Sequence, residues 1–335
     1  MKKYKLAIVG ATGVVGKTAL HVLEEKKLPN FEYCLFSSKR SGGKIIKFMD
    51  KNYIVNELNE NSFDEKFDYA IFSAGSETSK KYSPIAVSKG CTVIDNSSAF
   101  RMDPDIPLVV PEVNSSDLIN YTGIIANPNC STIQAVTCLK PLDDKFHIKR
   151  IVYSTYQAVS GAGSKGIHDL ENGIKHYNNN ADYCLEKFPL PIFNNCLPHI
   201  DTFLSNGYTK EEEKMINETR KILKRPDLPI TATTVRVPVF NCHSESINIE
   251  FNEDFNSTDE IKSVLQKAPG IIVIDDIENN KYPTCLDSNG TDNVYVGRIR
   301  RDYSVKSGIN LWVVADNIRK GAASNAIQIL EKLIG

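Results

Sequence analysis

The sequence predicts an α/β chain in two parts: a mostly parallel sheet covered on both faces, then an α+β domain. Two observations carry this. Over the first third, short apolar runs alternate with amphipathic helical segments, the pattern of a parallel sheet flanked by helices. After about residue 150 the strand-like runs lengthen and partly alternate, with helices segregated between them. That suits a sheet with one face against helices and the other open to a partner. The 335 residues allow two domains, taking roughly 150 residues for each. The division expected is 1–130 with 317–335, and 131–316.

The elements follow in order. KLAIV (5–9) reads as a buried strand, and a helical pattern runs from Val14 to Glu25. FEYCLF (31–36) and DYAIFSA (68–74) are further strands, the second trailed by a helix near 77–88. CTVID (91–95), PLVVP (107–111) and GIIAN (123–127) continue the series. In the second part the strands are RIVYSTYQAVS (150–160), ESINIEF (245–251), GIIVID (270–275), NVYVGRIR (293–300) and GINLWVVAD (308–316). Helices are expected at 164–177 and 209–224, with an Asn- and Pro-rich loop from about 178 to 200. The closing run, 317–335, is helical and suited to packing back on the first domain.

IVGATGVVG places Gly10, Gly13 and Gly16 between the first strand and its helix. Such glycines allow a tight turn and let backbone approach a phosphate at the helix N-terminus, so the first domain is expected to be a Rossmann-type dinucleotide-binding unit. The spacing is G-x-x-G-x-x-G and not the commoner G-x-G-x-x-G. An NAD site ordinarily carries Asp or Glu at the end of the second strand, to meet the ribose 2′-hydroxyl. Here that strand runs into Ser38, Lys39, Arg40 and Ser41. Hydroxyls and a guanidinium suit a 2′-phosphate, so NADP is the expected cofactor.

Bulk composition excludes several classes. Hydrophobic residues are 41% and charged residues 24%, ordinary for a globular protein. A net charge of −1 gives no sequence-independent pull toward nucleic acid or an anionic membrane. The apolar stretch Leu6 to Val9 is too short for a signal-peptide core, and no run approaches the roughly 20 residues that span a bilayer. The eight cysteines (34, 91, 130, 138, 184, 196, 242 and 285) form no C-x-x-C pair, and the six histidines are scattered. Reduced cytoplasmic thiols fit better than a disulfide framework, and no metal site is expected.

One cysteine stands apart. In NPNCSTIQ, Pro128 ends a strand and Cys130 falls at the start of a helical run. The positive end of a helix dipole favours a thiolate there. Cys91 and Cys138 fall among core-facing residues. A nucleophilic cysteine needs an acid/base partner, and His243 is the best placed, between two strand-like runs and seven residues after Arg236. Arg101 and Lys214 are further anion-binding candidates, although each taken singly reads as a surface charge.

GATGVVG, SSAFRMD, NPNCSTIQ, YQAVSGAG, YTKEEEKM, RVPVFNCHS and NIRKGAASNAIQI occur in this order over nearly the whole chain. Together they resemble the aspartate-β-semialdehyde dehydrogenase family, in its bacterial-type branch. The resemblance implies NADPH-dependent reductive dephosphorylation of L-aspartyl-β-phosphate to aspartate semialdehyde through a cysteine thioester, reversibly. The product would feed lysine, threonine, methionine and diaminopimelate biosynthesis. It makes Cys130 the nucleophile, with Asn129 beside it, and Gln157 the residue orienting substrate. His243 becomes the general acid/base, Arg236 the clamp for the α-carboxylate and Glu211 the partner of the ammonium, with Glu212 the alternative. Arg101 and Lys214 become the phosphate-binding pair. Cofactor contacts extend to Thr12, Val14 and Val15 in the glycine turn, to Ser73, Ala74 and Gly75, and to Ser160, Gly161 and Asn317. It also implies a homodimer, with a tetramer as the larger alternative. One departure is Cys242 before the histidine, where the family often has glycine.

Two rivals remain. N-acetyl-γ-glutamyl-phosphate reductase shares the glycine turn and the Cys/His pair, but its substrate has no free ammonium to meet an acid such as Glu211. A non-catalytic NADP-binding paralogue has no use for Cys130, His243 and the cations together.

Overall fold

The structure is a computed structural model that describes residues 3–179 and 183–335. The chain forms two compact units: one runs up to Asn129 and includes Ala322–Gly335, and the other is Cys130–Gly321. The second break thus lies at Gly321/Ala322, inside the closing run that the sequence assigns whole to the first domain.

The first unit is built on β1 (Tyr4–Val9), β2 (Phe31–Ser37), β5 (Asn56–Glu57), β6 (Tyr69–Phe72), β7 (Thr92–Asp95) and β8 (Ile124–Ala126). All pair in parallel, in the order β5-β2-β1-β6-β7-β8. Helices α1 (Val14–Lys26), α2 (Ser76–Ser88) and the short α3 (Pro111–Asn114) connect them. The C-terminal helix, Ser324–Ile334, places Ala326, Ile327, Ile329 and Leu330 in one core with Leu6, Ile8 and Leu23. Strand order reverses at β1, with β2 on one side and β6 on the other. In open α/β sheets the crevice at the carboxyl ends of such strands is where ligands bind.

Several elements depart from the sequence reading, among them a strand at Ile230–Arg236 and a helix at Thr258–Lys267 that it did not propose. PLVVP (107–111) makes one bridge, Leu108 with Ala126, before Pro111 starts α3. The prolines at its ends lack the N–H that a full ladder needs. A hairpin of β3 (Ile45–Phe48) and β4 (Lys51–Ile54) was not expected. Its two-residue turn, Met49–Asp50, has φ of 49° and 57°. Asn-Gly usually signals that conformation, and this pair does not.

The second unit holds a mixed sheet ordered β10-β9-β11-β14-β13-β12. Its strands are β9 (Ile148–Gln157), β10 (Ile230–Arg236), β11 (His243–Phe251), β12 (Ile271–Val273), β13 (Val294–Arg301) and β14 (Gly308–Ala315). Helices α4 (Cys130–Phe146), α5 (Ser164–Asn179), α6 (Lys210–Leu223), α7 (Thr258–Lys267) and α8 (Cys285–Ser288) complete it. Register stacks the inner-face residues in rows. Arg236, Gln157, His243 and Ala315 form one row, Thr234, Thr155, Glu245 and Val313 the next, and Ala232, Tyr153, Ile247 and Leu311 the third. All twelve are buried.

The stretch around 178–200, whose residues 180–182 lie outside the described residues, is moored at Asp169 of α5. That carboxylate is fully buried and accepts the N–H groups of Glu186, Lys187 and Phe188 at 2.8, 3.0 and 2.9 Å. Asp169→Ala should strand these donors and lower stability by at least about 3 kcal/mol, since bonds to a charged acceptor are worth roughly 1.5–3 kcal/mol each. Urea unfolding measures the loss; a midpoint equal to that of the parent protein would contradict this role.

Candidate active site

In the first unit a cavity of about 510 Å³ lies where β1, β2 and β6 end. Gly10, Thr12 and Gly13, Ser38 and Lys39, and Ser73 and Ala74 are among its lining residues. Gly10 has φ of 89°, and a Cβ there would lie 2.7 Å from Ser73 O. A Cβ on Gly16 would lie 2.1 Å from Gly10 O, so that glycine serves helix-to-turn packing. Gly13 stands at the start of α1 without a side-chain cap, leaving the helix's first N–H groups for an anion. Val14 and Val15 open that helix. Ser41 is buried, Arg40 is exposed, and Gly75 precedes α2 with φ of 87°. With no acid at the end of β2 and with Ser38 and Lys39 in the cavity wall, these residues fit a dinucleotide carrying a 2′-phosphate.

In the second unit the first inner row carries the chemistry. Arg236 ends β10, Gln157 ends β9 and His243 begins β11. His243 is fully buried; its Nδ1 accepts the Ala158 N–H at 3.0 Å, and its Nε2 is buried with no hydrogen-bond partner among the described residues. Burial pushes the imidazole well below its usual value, and the Arg236 charge pushes the same way. Arg236 Nη1 donates to Ala158 O at 2.6 Å, its Nε is buried and unpartnered, and its guanidinium carbon lies 5.9 Å from the Phe188 ring centre. Burial lowers the Arg236 pKa, while Glu211 and Cys130 act in the opposite direction.

Cys130 is the first residue of the 17-residue α4, half-buried. A Cβ on Gly321 would lie 2.8 Å from Cys130 Cβ, so the chain after β14 runs directly against the thiol-bearing residue. One turn on, Gln134 Nε2 donates to His243 O at 3.4 Å and ties α4 to β11. Gly161 lies against both side chains: a Cβ there would be 2.9 Å from Arg236 Nη1 and 3.2 Å from His243 Nε2. Ser160 and Asn317 bond to each other at 3.0 Å, and Asn317 Oδ1 also accepts the Cys242 N–H. Cys242 has φ of 73°, in the left-handed region that favours glycine. That accounts for the glycine expected before the histidine.

The two acids of α6 have different jobs. Glu212 completes a capping box with Thr209 and accepts the Thr234 N–H at 3.0 Å. Glu211 accepts from Gln157 Nε2 and from Lys214, both at 3.3 Å, and therefore faces the row. Lys214 also bonds Asp201 at 2.7 Å, a partner that the sequence did not suggest. In the first unit, Arg101 is buried and donates to Asn96 O, and Asn129 is buried.

Sequence reasoning missed Ala158, whose contribution is backbone, and Glu245, two residues after His243 on the same strand face. HSESINIEF alternates, so an acid in phase with Ile247 and Ile249 was a readable signal. Glu245 is fully buried with no hydrogen bond to either oxygen, and burial pushes its carboxyl well up, toward the neutral form. Among the described residues no three His, Cys, Asp or Glu side chains are grouped to hold a metal ion.

Two family models match the chain: "Semialdehyde dehydrogenase, NAD binding domain" over residues 5–121 and "Semialdehyde dehydrogenase, dimerisation domain" over residues 139–320. The chain is 55% identical over 335 residues to the aspartate-semialdehyde dehydrogenase of Aquifex aeolicus, covering 99% of this chain and 98% of that one. Identity to that of Bacillus subtilis is 46%, covering 98% and 96%. A crystal structure of aspartate semialdehyde dehydrogenase II from Vibrio cholerae, complexed with ASA, superposes with a TM-score of 0.95 at 45% identity, covering 100% and 99%. The Candida albicans enzyme with NADP gives 0.78 at 26% identity, covering 99% of each chain.

The thiols should sort by environment. Burial raises Cys91 and Cys242 to about 12 and Cys138 further, so all three are neutral at pH ~8. Brief iodoacetamide treatment at that pH should label Cys130 and the exposed Cys184 and Cys196 while sparing those three. Peptide mass mapping reads the result, and label on Cys91 or Cys242 of folded protein would contradict it.

Proposed function

Because the chain belongs to the aspartate-semialdehyde dehydrogenase family, we propose that it catalyses the reversible, NADP-dependent reductive dephosphorylation of L-aspartyl-β-phosphate to L-aspartate β-semialdehyde, a step of amino-acid biosynthesis. The observation that carries this reading is the buried row Arg236–Gln157–His243, tied through Gln134 to the helix that Cys130 begins.

The roles follow from the chemistry. Cys130 thiolate attacks the acyl carbon and expels phosphate, leaving a thioester. The unpartnered Nε edge of Arg236 suits the substrate α-carboxylate, because a guanidinium grips it through parallel hydrogen bonds. Glu211, turned toward the row while Glu212 is occupied in the cap, suits the ammonium group. Gln157 orients the bound acyl group, and His243 meets the oxyanion that develops on its carbonyl oxygen. The first N–H groups of α4 add to that stabilisation. Arg101 and Lys214 receive the phosphate, and Asn129 shapes the approach to Cys130. NADPH would supply the hydride; the glycine turn with Ser38, Arg40 and Ser41 at the β1–β2–β6 cavity would hold it, and the family resemblance adds Ser160, Gly161 and Asn317 as cofactor residues.

The protein acts as a dimer, and the match to a dimerisation domain supports this. The outer face of the second sheet carries partly exposed Tyr156 and Tyr282 around a cavity that Trp312, Arg298 and Arg300 also line, an apolar and aromatic surface suited to a second copy. We assign no tetramer. No helix among the described residues is long and apolar enough to cross a membrane.

Cys130→Ala should abolish NADP reduction by semialdehyde and phosphate, to below about 10⁻⁴ of the parent rate, and leave NADPH binding intact. Near-normal turnover in that variant would overturn the mechanism. Arg236→Leu should raise KM for semialdehyde roughly 100-fold, the range for a lost charged hydrogen bond. A change confined to KM for phosphate would instead reverse the assignment of the two arginines.

A further inference from the structure

A line of asparagine side chains runs through the first unit and ends at Arg101. Asn325, in the first turn of the C-terminal helix, donates through Nδ2 to Val109 O at 3.0 Å and to Asn127 Oδ1 at 2.7 Å. Asn127, just beyond β8, donates through Nδ2 to Ala322 O at 3.2 Å and to Asn96 Oδ1 at 2.6 Å. Asn96 follows β7, and its main-chain carbonyl accepts Arg101 Nη2 at 3.1 Å. Asn325 and Asn127 are fully buried, and Asn96 is half-buried.

The line has a direction, and two main-chain atoms set it. Val109 O and Ala322 O can only accept, so Asn325 and Asn127 must each turn an NH2 group toward the carbonyl it meets. That leaves Asn127 Oδ1 for Asn325 and obliges Asn96 to present Oδ1 to Asn127. Flipping either buried amide would set oxygen against oxygen. Asn96 is held at other points as well. Its N–H donates to Phe72 O at 2.9 Å. The peptide that carries its carbonyl is fixed at the far end, where the Ser97 N–H donates to the buried Asp95 carboxylate at 3.1 Å. The carbonyl that Arg101 meets therefore has one orientation.

Packing alone does not call for these amides. Ala326, Ile327, Ile329 and Leu330 already hold the C-terminal helix in the apolar core. An apolar side chain at position 325 would be buried there without the desolvation cost of an amide. A buried polar network whose members are all satisfied instead specifies one arrangement of the groups it joins. Here the last group joined is a buried guanidinium on a long, rotamer-rich side chain. Held in one pose beforehand, it meets an anion without the cost of being ordered. We propose that the relay Asn325–Asn127–Asn96 positions Arg101, so that an asparagine of the C-terminal helix sets the affinity for phosphate through that guanidinium. This rests on the phosphate role assigned to Arg101 above. The three asparagines are positioning residues, acting through Arg101 and not on the reacting atoms.

The test is steady-state kinetics of full-length Asn325→Ala and Asn96→Ala, each alone and combined with Arg101→Ala. Asn96→Ala keeps the carbonyl that Arg101 meets and removes only the side-chain link, at a half-buried position. Each asparagine variant should raise KM for phosphate about tenfold, since a small displacement of a positioned group is costly. KM for semialdehyde and NADPH binding should change little, which a general loss of structure in the first unit would not permit. In the Arg101→Ala background neither variant should raise KM for phosphate further, because effects exerted through one group do not add. An unchanged KM for phosphate in Asn96→Ala overturns the proposal, and so does a rise that persists in full without Arg101. If Asn325→Ala fails to bind NADPH, Asn96→Ala decides alone. If Arg101→Ala itself leaves KM for phosphate unchanged, the phosphate role of Arg101 fails and the relay falls with it. A parent protein that does not turn over semialdehyde fails the reaction assigned above, and ³¹P line broadening of inorganic phosphate then makes the same comparison of variants.

Discussion

The reactive arrangement in the second unit depends on strand register. Arg236, Gln157 and His243 are far apart in sequence and become neighbours because β10 pairs in parallel with β9, and β9 pairs antiparallel with β11. Side chains alternate faces, so a one-residue slip of β11 would send His243 to the outer surface together with everything in phase with it. The rows behind prevent this. Tyr153, Ile247 and Leu311 are buried beneath helices, and burying each large apolar side chain contributes about 1.5–3 kcal/mol. The register irregularity of β11 falls at Glu250/Phe251, at the far end from the histidine.

The middle row links the core to the chemistry. Thr234, Thr155 and Glu245 are polar yet buried, a combination that costs free energy unless partners or neutrality offset it. Part of the compensation is visible. Glu212 accepts the Thr234 N–H while capping α6, which fixes that helix against β10 and leaves the adjacent Glu211 turned to Gln157. Glu245 relies on neutrality, toward which burial pushes its carboxyl. Helix α6 is therefore positioned by one acid so that its neighbour faces Gln157 in the row.

What was legible in the sequence was what is decided locally. The glycine turn could be read because Gly10 needs φ of 89° and room against Ser73, demands met by residue type alone. Cys130 could be read because a proline and the helical run behind it locate a helix start. Seven motifs in order then gave the family, which the full-length relatives bear out. The row of three was not derivable, because pairing partners are a property of the whole sheet. Nor was the choice between Glu211 and Glu212, which turns on a capping box and on a strand more than twenty residues away. The hairpin at Met49–Asp50 was missed because its turn lacks the usual residues.

Ala158 belongs to none of these categories, since its contribution to the row is made by atoms that every residue possesses. The genetic code can change the methyl group at that position but, proline apart, cannot remove the N–H or the carbonyl. Alanine scanning would record the position as silent, and drift among small residues there would leave the hydrogen bonds intact. A device placed on the main chain is thus shielded from point substitution in a way that the cysteine, histidine and arginine around it are not.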